Sequence, residues 1–503
     1  MLATALFVSL LTLIPIQEDE TVKDFKKFFR KSKDPVERVE LILSLEDVES
    51  PDVAKVMLPL LKGKDPAEAQ AALRIISQLK EPTSRVPLLP IIEEGKPEAS
   101  CAAIAEAVAM GGWKEFQPLL LPQITHKSPD VRLWVVTALG RLGDPLSIEV
   151  VARLAMTDAE PMVRVASVDS LALIGHENKS VAGPALVAAL QDKHLSVATA
   201  ACLALRRVRV IEAIPPLLDL REFGEGRILE MVYPTLIDLT DLNLRDDPAT
   251  WRSWWERAQA NGYELPSDAE VLKRRAARAK ANEAYRFPTN SSSFVGVPTT
   301  SRQIVFVIDV SGSMEDNVID KDSFRERGFE HFRKLDIVRE ELRRTIDGLD
   351  EGVFFNIISF ASDMHPWKKK MTKANALARK SAIAWVDKLK PLGGKGSKDK
   401  GRTNTYGALL AGLGVKDSRN YKGPVSGSVS KAIAGAPDTL FFLSDGRPTV
   451  GELVEVEDIR ASITHINQFR RTVIHTIGIG EFQKSFLVNL SRENNGVFVD
   501  LGR

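Results

Sequence analysis

The apolar positions of the first half of the chain recur on two scales. Within SPDVRLWVVTALGRLGD, residues 128–144, Val131, Val135, Ala138, Leu139 and Leu142 fall at the spacing that lines one face of a helix. Between segments the whole pattern returns. Proline-led helix starts stand near Pro35, Pro66, Pro97, Pro129 and Pro161, with a variant near Leu195, at intervals of 31, 31, 32, 32 and 34 residues. Proline in the first turn costs no intrahelical hydrogen bond. Gly143 then ends the helix, and a shorter helix over residues 146–154 completes the unit. EPMVRVASVDSLALIG, residues 160–175, repeats the plan. One such helix pair cannot bury its own apolar face, so copies must stack. The pattern predicts an α-solenoid over residues 30–262. Its last segment, 246–262, places Trp251, Trp254 and Trp255 at i, i+3 and i+4, where they cover the open end of the final repeat.

A charged helix from residue 267 and a polar stretch with two prolines, 287–300, read as helix and linker, so 263–300 separates two domains. Beyond residue 300 the pattern changes period. Apolar strand candidates at 304–308, 353–360, 439–443, 472–477 and 497–500 are separated by helix candidates at 335–347, 373–389, 405–413, 452–469 and 482–492. Strands of that kind between helices call for an α/β, Rossmann-like domain over 301–503, with a mostly parallel sheet covered on both faces. Ligands in such folds sit beyond the carboxyl ends of the strands. There the first strand, IVFVIDVSGSM at 304–314, ends in Asp309, Ser311 and Ser313 around Gly312. A carboxylate and two hydroxyls form a hard oxygen cluster that suits Mg²⁺, with Mn²⁺ or Ca²⁺ as alternatives.

Composition narrows the function. Lys and Arg total 68 against 67 Asp and Glu, a balance that argues against a nucleic-acid binder. Two cysteines, Cys101 and Cys202, lie in apolar helical patterns and read as buried thiols. The seven histidines form no HExxH-type pair, and no GxxxxGK[ST] nucleotide loop occurs. Residues 1–17 include an uncharged apolar run, 2–16, short for a membrane span but of the length of a secretory signal. It predicts an exported protein, periplasmic, cell-surface or secreted, without a transmembrane helix. The alternatives are a membrane-associated anchor or a docked segment.

The array resembles the HEAT repeat family over residues 30–245, with a short period as in many bacterial versions, and its Trp-rich close resembles that of exported bacterial HEAT-repeat proteins. The DxSxS segment resembles the first segment of the metal-ion-dependent adhesion site of the von Willebrand factor A (VWA) domain. GRTNTYGALLAG, residues 401–412, resembles that family's threonine loop, and FFLSDGRPTVGE, residues 441–452, its aspartate loop. The resemblance implies a metal site of Asp309, Ser311, Ser313, Thr403 and Asp445. Ser311 and Ser313 would bind the ion directly, Thr403 in the ligand-bound state, and Asp309 and Asp445 mainly through waters. Thr405 competes for the role of Thr403. The open coordination position would take the Asp or Glu of a protein partner.

Two features depart from a minimal domain. Residues 315–336 lengthen the loop after the metal segment, with Phe324, Phe329 and Phe332 available to pin it. Lys395, Lys398, Lys400 and Arg402 precede Thr403 as a basic rim that Trp367 and Lys368, Lys369 and Lys370 could join. The expected function is a metal-dependent protein-binding or scaffold protein, not an enzyme, because no His or Lys general base is expected beside the cluster. The alternatives are a metal-dependent hydrolase, an accessory subunit of a separate ATPase, or self-association.

Overall fold

The computed structural model describes residues 19–63, 65–271, 273, 292–326, 328–392, 402–415, 437–480 and 482–501. The apolar run 2–16, most of the charged helix and linker, and the rim residues Lys395, Lys398 and Lys400 lie outside these. The chain forms two compact units, one up to Ala138 and one from Leu139.

The first unit is helical. Helices Pro35–Leu43, Pro51–Leu61 and Pro66–Ser77 each begin with proline behind an Asp or Ser cap. Asp34 accepts the Val36 and Glu37 N–H groups at 2.9 and 3.0 Å, satisfying donors that proline-led starts leave free. Pro97 differs from this plan: it is itself the cap of Glu98–Gly111, which is buried on nearly every side. An amphipathic helix, Glu20–Phe29, precedes these helices.

The second unit continues the array. Its helices include Pro161–Ile174, Lys179–Ala189, Leu195–Leu205, Ile228–Thr240 and Pro248–Ala260. A forked pair links successive repeats here: Arg164 donates to both Asp192 oxygens at 2.7 and 2.9 Å. Arg38 does the same to Glu68 in the first unit, at 2.5 and 3.0 Å. The tryptophans pack as the sequence predicts. Trp251 and Trp255 are buried, and Trp254 meets Trp251 edge-on at 5.7 Å. Cys101 and Cys202 are free and buried, and burial pushes both thiols up to about 12.

The same unit holds a seven-stranded sheet, preceded by a hairpin of β1 (Ser292–Phe294) and β2 (Val297–Thr299). That hairpin occupies part of the stretch expected as linker. Phe294 is the reason: it is fully buried, with its ring 5.1 Å from Phe306 and 5.3 Å from Phe441. The sheet strands are β3 (Gln303–Asp309), β4 (Phe354–Phe360), β5 (Met364–Pro366), β6 (Thr372–Lys373), β7 (Thr439–Ser444), β8 (Val473–Gly478) and β9 (Phe498–Asp500). Their order is β5-β4-β3-β7-β8-β9, with β6 also on β4. β4, β3, β7, β8 and β9 run parallel, while β5 and β6 pair antiparallel with β4. The two short antiparallel strands are absent from the sequence pattern because they are too brief to carry a period, and β6 takes the start of the helix expected from 373. Along β3, Ile304, Phe306 and Ile308 enter one core and Val305 and Val307 the other. Helices such as Lys334–Asp347 and Ala376–Val386 cover the first core; Thr405–Gly412, Val456–Asn467 and Lys484–Glu493 cover the second.

The array meets the sheet at the amino ends of its strands. Arg227, 3 % exposed, donates to the carbonyls of Asp438, before β7, and Arg471, before β8, at 2.7 and 2.6 Å. Arg471 in turn grips both oxygens of Asp169, each at 2.5 Å. Glu230 accepts the Thr300 N–H at 2.8 Å, just before β3.

His475 in β8 gives this core a pH dependence. Its ring stacks on Phe441 at 4.8 Å, and its Nδ1 accepts the Val497 N–H at 3.1 Å. Burial, helped by the Arg227 charge, pushes its imidazole down to about 4 from 6.5. The unfolded chain therefore takes up this proton first. The stabilisation is complete above about pH 6.5 and fades as the pH falls towards 4, by about 3 kcal/mol in all. Urea midpoints should drop over that range, and His475→Leu should remove part of the drop. Identical pH profiles for the two proteins would refute this assignment.

Candidate functional site

β3 and β7 are neighbours, yet the chain leaves β3 for β4 on its other side, so the sheet's topology switches between them. A crevice opens beyond the carboxyl ends at such a point. Asp309 ends β3, and Asp445 follows the last residue of β7. Ser311 lies in the turn after β3 and caps the short 3₁₀ helix Gly312–Glu315, which contains Ser313.

Hydrogen bonds join these segments. Asp309 is fully buried; one of its oxygens accepts the Ser311 N–H and the other the Ser444 hydroxyl, both at 2.8 Å. The Ser311 and Ser313 hydroxyls are 3.1 Å apart, and Ser313 donates to Asp445 Oδ1 at 2.8 Å. Thr403 precedes the helix Thr405–Gly412 and is tied to the aspartate loop. Its N–H donates to Thr449 Oγ1 at 2.8 Å, and its carbonyl accepts the Thr449 N–H at 3.0 Å. A methyl group placed on Gly446 would lie 3.5 Å from Thr403 Oγ1 and 3.9 Å from Ser313 Oγ, so both hydroxyls face the space that this glycine leaves open. All five sequence-predicted residues therefore lie together beyond the carboxyl ends of β3 and β7. Thr405 instead starts the helix, with its hydroxyl buried and, among the described residues, without a hydrogen-bond partner.

The two carboxylates strain the site electrostatically. Burial, and then the Asp445 charge, push the Asp309 carboxyl up to about 6. A lysine that the sequence pattern does not single out also reaches the site. Lys334, at the start of Lys334–Asp347, sets its Nζ 2.7 Å from Asp445 Oδ2, with 9 % of its side chain exposed. Its separation from the DxSxS segment hid it. The lengthened loop closes on itself through a bridge between Asn317 and Arg333 and a Lys334 N–H bond to the Asp316 carbonyl at 2.9 Å. Phe324 and Phe329 pin the loop as expected, their rings 5.5 Å apart and buried. Trp367 does not join a rim. It stacks on Phe355 at 5.1 Å in the core and is 9 % exposed.

The donors fit a hard divalent ion: three hydroxyls and two carboxylates, with no sulfur or imidazole. Among the described residues no group of three or more His, Cys, Asp or Glu side chains could hold a metal, so an ion here would depend on the hydroxyls.

Comparison with known proteins agrees with this architecture. The sequence model of the von Willebrand factor type A domain matches residues 303–501, and that of HEAT repeats matches residues 85–172. The chain is 25 % identical over 202 residues to inter-alpha-trypsin inhibitor heavy chain H3 of Homo sapiens, 40 % of this chain and 19 % of that protein. It is 28 % identical over 203 residues to heavy chain H4 of Homo sapiens, 40 % of this chain and 18 % of that protein. The chain thus spans about a fifth of the length of these curated relatives. Similar solved structures include a von Willebrand factor type A protein from Catenulispora acidiphila, with a TM-score of 0.29 and 18 % identity over 41 % of this chain and 39 % of that one. Another is proximal thread matrix protein 1 from the mussel byssus with a zinc occupied MIDAS motif, with a TM-score of 0.25 and 15 % identity over 40 % of this chain and 44 % of that one. Residues 303–501 of this chain are a von Willebrand factor type A domain, and residues 85–172 are HEAT repeats.

Proposed function

We propose that this protein is an exported, non-enzymatic binding protein that grips an acidic side chain of a protein partner through a divalent cation. The ion, Mg²⁺ with Mn²⁺ or Ca²⁺ as alternatives, is held by Asp309, Ser311, Ser313, Thr403 and Asp445. The observation that carries this reading is the meeting of three hydroxyls and two buried carboxylates, from three separate segments, at the switch point of the sheet. Only two of the five donors are charged, which leaves a bound ion electrophilic enough to take a further carboxylate. The repeat array acts as scaffold and offers a second surface. A hydrolase is the weaker reading. Lys334 is buried and its Nζ is committed to Asp445, so it is not placed to act as a general base. Export rests on the apolar run 2–16; among the described residues no helix is long and apolar enough to cross a membrane.

Calorimetric titration of Mg²⁺ and Mn²⁺ into the full chain tests the site. One-to-one binding is expected, weakened roughly 10–100-fold in Thr403→Ala and unchanged in Thr405→Ala. Equal loss in both variants, or no binding by the folded wild-type chain, would overturn the assignment. Multiple turnover of any substrate would favour the hydrolase.

A further inference from the structure

We propose that Lys334 determines the charge of the metal-loaded site and so makes it selective for an acidic ligand. The lysine is built into the site. Its Nζ donates to Asp445 Oδ2 at 2.7 Å, while Ser313 occupies Asp445 Oδ1. Its stem lies against Gly480, which has φ +77°. A methyl group there would sit 2.5 Å from Lys334 Cε and 2.8 Å from Nζ, so the end of the lysine runs close along this backbone. The loop that delivers it is closed by the Asn317–Arg333 bridge and by the Val318 N–H bond to the Phe332 carbonyl at 2.8 Å.

The consequence follows from the sum of the buried charges. Asp309 and Asp445 contribute two negative charges and Lys334 one positive charge. A divalent ion makes the sum plus one, and one partner carboxylate then brings it to zero. Without the lysine, the loaded site would already be neutral, and an incoming carboxylate would leave net negative charge in a buried place. Lys334 therefore weakens metal binding by like-charge repulsion and strengthens carboxylate binding. In the metal-free protein it also holds Asp445 against its neighbour Asp309.

This inference rests on the metal reading above. The test is titration of Mn²⁺ into the full-length wild-type, Lys334→Gln and Lys334→Arg proteins, followed by titration of acetate into each loaded protein, read by water-proton relaxation. Glutamine keeps a donor for Asp445 without the charge; arginine keeps the charge and guards against a variant that merely misfolds. Lys334→Gln is expected to bind Mn²⁺ about tenfold more tightly and acetate several-fold more weakly, with Lys334→Arg close to wild type. Unchanged or weaker Mn²⁺ binding by Lys334→Gln, beside normal wild-type binding, would overturn the role of Lys334 alone. Tighter Mn²⁺ binding with unchanged acetate affinity would overturn the selectivity. Absence of Mn²⁺ binding by the wild-type chain would overturn both this inference and the metal reading.

Discussion

Asp309→Asn should make the metal-free protein more stable and abolish most of its affinity for metal. The substitution preserves shape. The amide oxygen can still accept the Ser311 N–H, and the amide nitrogen can donate to the Ser444 hydroxyl, which turns from donor to acceptor. What disappears is a buried charge beside a second carboxylate. That charge is unfavourable without an ion, since burial and Asp445 push the Asp309 carboxyl up to about 6. Its removal should add about 1–2 kcal/mol in the presence of a chelator. Metal affinity should fall roughly 10–100-fold, because the ion loses half of the carboxylate charge that attracts it. Thermal melts with and without Mn²⁺ read both effects: a higher melting temperature without metal, and a smaller rise when metal is added. A variant that is stabilised by Mn²⁺ as much as wild type would remove Asp309 from the site. Asp309→Ala is the poorer probe, since it orphans two buried donors and mixes folding with binding.

The second large effect should come from Arg227→Met, at the opposite end of the strands. The guanidinium is buried, and burial pulls its pKa below the ordinary arginine value. It supplies donors to two carbonyls, those of Asp438 and Arg471, that lead into β7 and β8. Methionine fills similar volume but leaves both acceptors without that donor in a closed interface. The cost should be about 3 kcal/mol, and it falls on the contact between the repeats and the sheet. In the wild-type chain the repeats after Leu139 and the sheet form one compact unit and should unfold together. In Arg227→Met, the calorimetric transition should separate into two. A single transition, shifted to lower temperature without splitting, would place the energy within the domain and not at the junction.

Local signals carried much of this protein into its sequence. The helix starts of the array follow from Asp or Ser before proline, because a capping oxygen and a missing N–H satisfy the first turn whatever packs against it. The main parallel strands follow from short apolar runs, since each is covered on both faces. Asp309, Ser311, Ser313, Thr403 and Asp445 were legible because each lies in a short motif at a strand or helix end. The β1–β2 hairpin was not legible, because its serines, proline and glycine read as linker until Phe294 packs against Phe306 and Phe441. Nor was the junction between repeats and sheet, where Asp169, Arg227 and Arg471 look like ordinary surface charges of separate helices and turns. Lys334 is the sharpest case. Nothing near it in the chain distinguishes it from other lysines, and only the closure of the loop from Asp316 to Arg333 brings it to Asp445. Periodicity and capping act over a few residues and are written in order along the chain. Charge pairing across a fold depends on distances that exist only once the chain has closed on itself.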